Sequence, residues 1–150
     1  GANAIQEQTG CFILAHEEDA MVLEVKDHTR TAASWYNKHL DPIPVDIKMK
    51  GHSMNIDLSE GSMHLVHTPG HTPGSISAYV DTADGRVLFA QDVHGPFTRE
   101  FSSSMADWRI SMKNLIELGP DILCEGHFGI FQPRENALRY IQRYLREYEK

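Results

Sequence analysis

Apolar and polar residues alternate with a period of two along the middle of the chain, which is typical of strands buried on one face. Val45, Ile47 and Met49 are separated by charged residues, and the alternation recurs at residues 54–58 and 76–80. Together with short apolar runs and an Asp-Gly turn, this pattern predicts strands at residues 11–15, 45–49, 54–58, 63–67, 76–80, 87–90 and 122–124. The chain is therefore expected to build a sheet.

Helical patterns flank these strands, and several of them carry the end signals of helices. Gly10 follows the first pattern, acidic residues open the second at residues 17–19, and Ser104 has Asp107 three residues later, as in a capping box. Helices are predicted at residues 2–9, 17–26, 31–40, 104–118 and from Pro133 onward. No linker, long repeat or low-complexity tract divides residues 1–150, so a single α/β domain is predicted.

Composition and charge narrow the functional classes. The chain has 150 residues, 41% of them hydrophobic and 23% charged, as expected of one globular domain. The formal net charge of -7 disfavours nucleic-acid binding. No apolar stretch is long enough to span a membrane and no signal-peptide pattern is present, so no membrane association is expected. Cys11 and Cys124 lie in short apolar runs and are predicted to be reduced core residues, which favours a cytoplasmic protein.

Histidine is unusually concentrated, with nine in the chain and four of them between His64 and His94. His71 lies in a Pro/Gly loop after one strand, Asp92 follows the next hairpin, and His127 follows the last strand. Because strand ends in a layered fold converge on one rim, these side chains predict a zinc or iron site. His94 could orient substrate or donate a proton there, or it could be a rim histidine bonded to backbone. Four other histidines are expected to be solvated: His16, His28, His39 and His52.

These residues resemble three motifs of the metallo-β-lactamase superfamily, in the order that the family has them. Residues 67–75 look like its Thr-Pro-Gly-His-Thr-Pro-Gly loop, residues 88–92 like its strand that ends in a bridging aspartate, and residues 125–127 like its closing Gly-His. The resemblance implies a four-layer αββα sandwich, with helices outside two sheets. It also implies that His71 binds one metal, that Asp92 bridges two metals, and that His127 completes the second site.

The main metal signature of that family, His-x-His-x-Asp-His, is absent from this sequence. Residues 1–5 resemble the helix that follows the signature. The resemblance therefore predicts a portion of the sandwich, the second sheet with its flanking helices, in a 1–150 domain that lacks its N-terminal part. Asp92 stands where β-lactam-hydrolysing members often have a cysteine, which favours the thioesterase, lactonase and di-iron branches.

The activity that the resemblance implies is hydrolysis of an ester, thioester or lactone of a small molecule by a metal-bridging hydroxide. Asp92 and His94 are the predicted catalytic residues, and the cofactors are two zinc ions in the complete domain, with iron or manganese as alternatives. A flavodiiron-like di-iron redox protein and a non-catalytic half-domain that associates through its exposed sheet remain open. We expect a homo-oligomer or association with the missing N-terminal part, and little activity from the 150-residue chain alone.

Overall fold

The structure is a computed structural model that describes residues 1–149. The α-helices in this range are Ala2–Thr9 (α1), Glu17–Glu24 (α2), Met105–Leu118 (α3) and Arg134–Glu147 (α4), and a short 3₁₀ helix spans Ala33–Tyr36. The strands are Leu14–His16 (β1), Ile47–Met49 (β2), Ser53–Asp57 (β3), Ser62–His67 (β4), Ile76–Thr82 (β5), Gly85–Phe89 (β6), Ile122–Glu125 (β7) and Gly129–Phe131 (β8).

Strands β3 to β8 form one six-stranded sheet in sequence order, and β1 pairs with β2 in a separate parallel pair. Neighbouring strands of the large sheet are antiparallel except β6 and β7, which are parallel. Parallel neighbours need a crossover connection, and α3 lies in the segment that supplies it. The carboxyl ends of β6 and β7 therefore lie at the same edge of the sheet, where Asp92 and His127 follow them.

Helices α3 and α4 cover one face of this sheet. Leu88 of β6 and Leu123 of β7 are paired in register and are fully buried in one cluster with Trp108 of α3 and Ile141 of α4. Burying side chains of this size contributes about 1.5–3 kcal/mol each. This cluster is the hydrophobic core, and it makes the strand ends a rigid support for the loops that follow them.

The opposite face of the sheet is apolar and partly uncovered. The register places Ala78, Phe89, Cys124 and Ile130 side by side on this face, which we call the open face. Phe89 is 44% exposed and Ile130 is 67% exposed. Contiguous apolar surface of this kind marks a contact site more often than a solvated surface.

The elements differ from the sequence prediction in a few places. The helix predicted at residues 31–40 is only the 3₁₀ helix, because Ala32 and Asn37 on either side of it have left-handed backbone angles, φ 57° and 48°. Asp27 Oδ1 also accepts the backbone N–H groups of Thr29 and Arg30, which stabilises a turn in place of a helix. Strand β8 was not predicted.

The prediction that Cys11 and Cys124 are buried in the core is wrong. Cys11 is exposed because β1 begins only at Leu14, and Cys124 is half-buried because it lies on the open face. Both cysteines are free, as expected. Within residues 1–149, no helix combines the length and the apolar character that crossing a membrane requires.

Candidate metal centre

A rigid loop holds His71 between β4 and β5. Thr72 Oγ1 donates to Asp19 Oδ2 at 2.5 Å and the backbone N–H of Gly74 donates to Asp19 Oδ1 at 3.0 Å, so one carboxylate of α2 anchors the loop. Gly70 has φ 146°, and a Cβ there would lie 2.4 Å from the Trp108 backbone. Only glycine fits this close approach, which ties the loop to the core.

His71, Asp92 and His127 come together at the rim of the sheet. His71 Nε2 lies 3.3 Å from Asp92 Oδ2, and His127 Nε2 lies 3.2 Å from Asp92 Oδ1. Two atoms bound to one tetrahedral zinc at about 2.0–2.1 Å lie roughly 3.3 Å apart. Each oxygen of Asp92 is thus paired with one imidazole nitrogen at the spacing that a shared metal ion requires.

The hydrogen bonds of His71 leave its Nε2 available as a ligand. His71 Nδ1 lies 2.9 Å from the carbonyl oxygen of Pro96, which can only accept, so Nδ1 carries the hydrogen. In the neutral ring Nε2 then presents a lone pair toward the Asp92 carboxylate. A metal ion between Nε2 and the carboxylate would be bound by both, and the same tautomer is typical of metal-bound histidine. The donor set therefore fits zinc.

The backbone around Asp92 is shaped by the close approach of two chain segments. The backbone N–H of Gly126 donates to the Gln91 carbonyl at 2.9 Å, and a Cβ on Gly126 would lie 2.5 Å from Asp92 Oδ1. Gln91 itself has φ 50°, a left-handed angle that favours glycine. The position of Asp92 is thus set by the loop after β7 as well as by its own strand.

His94 is held by Glu125, a residue that the sequence analysis did not single out. The Glu125 side chain is fully buried, and His94 Nδ1 donates to its Oε1 at 2.6 Å. Glu125 Oε2 accepts the backbone N–H groups of His127 and Phe128, both at 2.8 Å. Burial raises the pKa of Glu125, but the His127 N–H, His94 and the Phe128 N–H together lower it further, so the pKa lies below its usual value. The ionised carboxylate fixes the His94 ring and the loop that carries His127.

A signal for Glu125 was present in the sequence. A charged residue directly after the apolar run Ile-Leu-Cys, at a strand end, is rarely buried without a partner. The partner itself, His94, lies 31 positions away, and only the tertiary fold brings the two together.

A second cluster of metal-ligand types lies beside the first loop. His16 is buried, contrary to the prediction that it is solvated, and its ring stacks on His67 at 3.9 Å. Single ligand atoms of His16, His67 and Glu18 lie within 4.8 Å of one another. However, His16 Nδ1 accepts the Glu18 N–H at the start of α2, His16 Nε2 lies 3.3 Å from the Gly51 carbonyl, and His67 Nε2 lies 2.7 Å from the Pro73 carbonyl. These nitrogens already have backbone partners, so the cluster joins α2 to the loop.

The other histidines expected to be solvated differ among themselves. His39 and His52 are exposed, and His28 is half-buried. None of the three lines the cavity at the rim.

A cavity of about 280 Å³ opens onto the rim, and we call it the rim cavity. His71, Asp92 and His127 line it together with Phe101 and Trp35, whereas His94 does not line it. A neighbouring cavity of about 360 Å³ shares four lining residues with it: Arg30, Thr31, Thr72 and Phe101. The volume of the rim cavity is just below the roughly 300–1,000 Å³ of typical small-molecule sites.

No protein-family model matches the sequence, and no curated protein matches it. Several solved structures do match. An archaeal metallo-β-lactamase superfamily protein from Sulfolobus tokodaii has a TM-score of 0.69 at 18% identity, with 94% of this chain and 60% of that chain covered. The class B3 di-zinc metallo-β-lactamase LRA-12 from an Alaskan soil metagenome has a TM-score of 0.71 at 21% identity, with 98% and 64% covered. The metallo-β-lactamase GOB-18 from Elizabethkingia meningoseptica has a TM-score of 0.71 at 20% identity, with 98% of this chain and 63% of that chain covered.

These likenesses confirm the predicted fold. The chain spans between 60% and 64% of the length of these three structures, while nearly all of it is covered. Its six-stranded sheet with flanking helices therefore corresponds to a portion of theirs. The chain therefore has the structure of one portion of the metallo-β-lactamase fold.

Proposed function

We propose that this chain contributes to a metal-dependent hydrolase that acts on an ester, thioester or lactone of a small molecule. The observation that carries the proposal is the Asp92 carboxylate between two imidazoles, with one oxygen 3.3 Å from His71 Nε2 and the other 3.2 Å from His127 Nε2. A bridging carboxylate with one histidine on each side is the donor set of a two-metal site.

The ions would be held by His71 and Asp92 on one side and by His127 and Asp92 on the other. Zinc is the proposed metal, in keeping with the printed description of the LRA-12 lactamase as di-zinc, and iron or manganese would fit the same donors. When bound, such ions supply an activated water and polarise a substrate carbonyl. The chain's own residues keep the two sites at a defined separation through the Asp92 carboxylate.

His94 lies beside His127 but outside the lining of the rim cavity, so it is proposed to act through Nε2 on substrate at the His127 end of that cavity. Because its Nδ1 donates to Glu125, the ring cannot turn freely and Nε2 is the nitrogen left for substrate. Its ring centroid lies 5.6 Å from that of His127, beside the proposed metals. A hydrogen bond from Nε2 would orient the substrate or donate the proton that the leaving group needs.

Completion of the site is proposed to come from outside the described residues. Within residues 1–149, the rim cavity offers three metal-ligand side chains, too few to fill two coordination shells. The open face, with Phe89 and Ile130 exposed, supports association with a further part of the domain or with another copy. The same exposed face also favours the second candidate, a non-catalytic half-domain that associates through its sheet.

The direct test of hydrolysis uses the protein expressed from its complete gene and loaded with zinc. We expect turnover of phenyl acetate, a thioester such as S-phenyl thioacetate, or γ-butyrolactone, followed by titration of the released acid. Asp92→Asn should abolish this turnover and Asp81→Asn, at a surface ion pair with Arg86, should not. Full activity in Asp92→Asn, or no activity on any of the three bonds, would contradict the proposal.

Association is tested on residues 1–150 alone by size-exclusion chromatography with light scattering. We expect oligomers that Phe89→Ser together with Ile130→Ser converts to monomer. Ile110→Ser is the matched control, because Ile110 is 60% exposed but lies on α3, away from the open face. A stable wild-type monomer that binds no apolar dye would show that the open face needs no partner.

A further inference from the structure

Arg30 lines the rim cavity without a charged partner. Its guanidinium takes part in no hydrogen bond and no ion pair with the residues at positions 1–149, although the side chain is half-buried. Arg86 and Arg134, by comparison, are paired with carboxylates. Among the described residues, three further arginines also have no such partner, but they are exposed, whereas Arg30 is half-buried: Arg99, Arg143 and Arg146. A half-buried guanidinium with five free N–H donors is a binding group for an anion.

Acidic side chains of the segments around the two cavities are already engaged elsewhere. Asp27 accepts backbone N–H groups, Asp19 accepts Thr72 and Gly74, and Glu100 accepts Trp35 Nε1 at 3.0 Å. These carboxylates serve the turn, the loop and the 3₁₀ helix. Arg30 therefore remains available in a cavity whose other charged groups belong to the candidate metal centre.

Apolar and aromatic walls complete the cavity between Arg30 and the rim. Phe101 is 5% exposed, and its ring contacts both His71, at 5.4 Å between centroids, and Trp35, at 4.9 Å. The bond from Trp35 to Glu100 holds this wall in place. A cation, an aromatic surface and a carboxylate-imidazole cluster around one small cavity describe a site for a small molecule with one anionic end.

We infer that Arg30 binds an anionic group of the substrate, a carboxylate or a phosphate, while the bond to be cleaved lies against His71, Asp92 and His127. The inference rests on the proposed function, since it names the substrate class of the same cavity. Arg30 is thus a specificity-determining residue. Both anions match the planar fork of a guanidinium, which can donate two parallel hydrogen bonds to either.

Binding is measured on protein expressed from its complete gene, stripped of metal with EDTA and then dialysed into metal-free buffer without EDTA, so that neither a metal nor the chelator's carboxylates interfere with the anion. The probes are monomethyl succinate, which has one ester and one carboxylate, its neutral analogue dimethyl succinate, and inorganic phosphate. Trp35 lines the rim cavity, whereas Trp108 is fully buried and lines neither cavity, so tryptophan fluorescence reports occupancy. Calorimetric titration gives the same constants independently.

We expect the wild-type protein to bind the monoester about tenfold more tightly than the diester, as expected for a charge-assisted hydrogen bond. Arg30→Gln should remove this preference, Arg30→Lys should retain part of it, and the control Arg146→Gln should leave it unchanged. Arg146 lies in the last turn of α4 and lines neither cavity. If inorganic phosphate displaces monomethyl succinate from the wild-type protein and this displacement requires Arg30, the anion is a phosphate. If phosphate does not displace the monoester, the anion is a carboxylate.

Equal binding of both esters, or an unchanged preference in a folded Arg30→Gln protein, would overturn the inference. The circular dichroism spectrum checks folding, and Arg30→Lys supplies a second folded variant. Hydrolysis of both esters with no dependence on Arg30 would leave the proposed function standing and remove the anion site. Binding that depends on Arg30, without hydrolysis by the zinc-loaded enzyme, would support the anion site and contradict the proposed function.

Discussion

Two histidine-carboxylate clusters lie on either side of one loop, and they differ in what their ring nitrogens face. At the rim, the Nε2 atoms of His71 and His127 face the two oxygens of Asp92. In the other cluster, nitrogens of His16 and His67 face backbone groups. Histidine and carboxylate side chains that lie within a few ångströms of one another are therefore not sufficient for a metal site. The rim cluster has donors directed at one another, and the inner cluster uses its donors to join α2 to the loop.

The largest expected difference between the clusters is in metal affinity. Asp92→Asn replaces one ligand oxygen with an NH2 group and removes the negative charge that both proposed sites share, so we expect zinc binding at the rim to weaken by at least about 100-fold. Glu18→Gln, the matched change in the inner cluster, should leave zinc binding unchanged. Competition with a chromophoric chelator measures both, on protein expressed from its complete gene. Equal losses in the two variants would mean that the inner cluster also binds metal.

Removal of a histidine ring should reduce stability more in the inner cluster than at the rim, the reverse of the order expected for metal affinity. His16→Ala deletes a buried side chain and the cap of α2, so we expect it to lower the free energy of unfolding by about 2 kcal/mol. His71→Ala should cost less than about 1 kcal/mol in metal-free protein, because His71 is less buried and makes one hydrogen bond. His52→Ala controls for loss of an exposed histidine. Urea denaturation ranks the three, and a smaller loss for His16 than for His71 would contradict the structural role of the inner cluster.

A methyl group at Gly126 should alter the rim without unfolding it. The added Cβ would lie 2.5 Å from Asp92 Oδ1, and a side-chain oxygen can move away at little cost. We expect Gly126→Ala to weaken zinc binding about tenfold through the displaced carboxylate, with a stability change below about 1 kcal/mol. Unchanged zinc affinity would show that the position of Asp92 does not depend on this contact.

The smallest expected effect is at Gln91, which precedes Asp92 with φ 50°. Gln91→Gly relieves the backbone strain of the left-handed angle, but it also raises the conformational entropy of the unfolded chain, which opposes folding. Because the first effect is the larger, we expect a net gain of about 0.5 kcal/mol in the free energy of unfolding. Thermal unfolding measures the gain, and zinc affinity should stay unchanged. A loss of stability would indicate that the Gln91 side chain contributes contacts that outweigh the strain.

The sequence predicted the strands around the rim well because their signals are local. Alternation marked β3 and β5, the Asp-Gly turn marked the hairpin into β6, and Ser104 marked the start of α3. The segment at residues 31–40 was mispredicted, since an alanine gives no sign of the left-handed angle that Ala32 adopts at the start of the 3₁₀ helix. Burial of His16 was also missed, because it depends on stacking with a residue 51 positions away, His67.

The sequence by itself determined that His71, Asp92 and His127 follow strand ends, and the parallel pairing of β6 with β7 then places two of them at one edge. Their metal-binding role remains a prediction. Only the tertiary structure decided which nitrogen of each ring is available, that Glu125 holds His94, and that Arg30 lines the same cavity. These features depend on distances and hydrogen bonds between residues far apart in the chain. Residue type and spacing describe strand ends, but they do not specify the partner that each side chain meets across the fold.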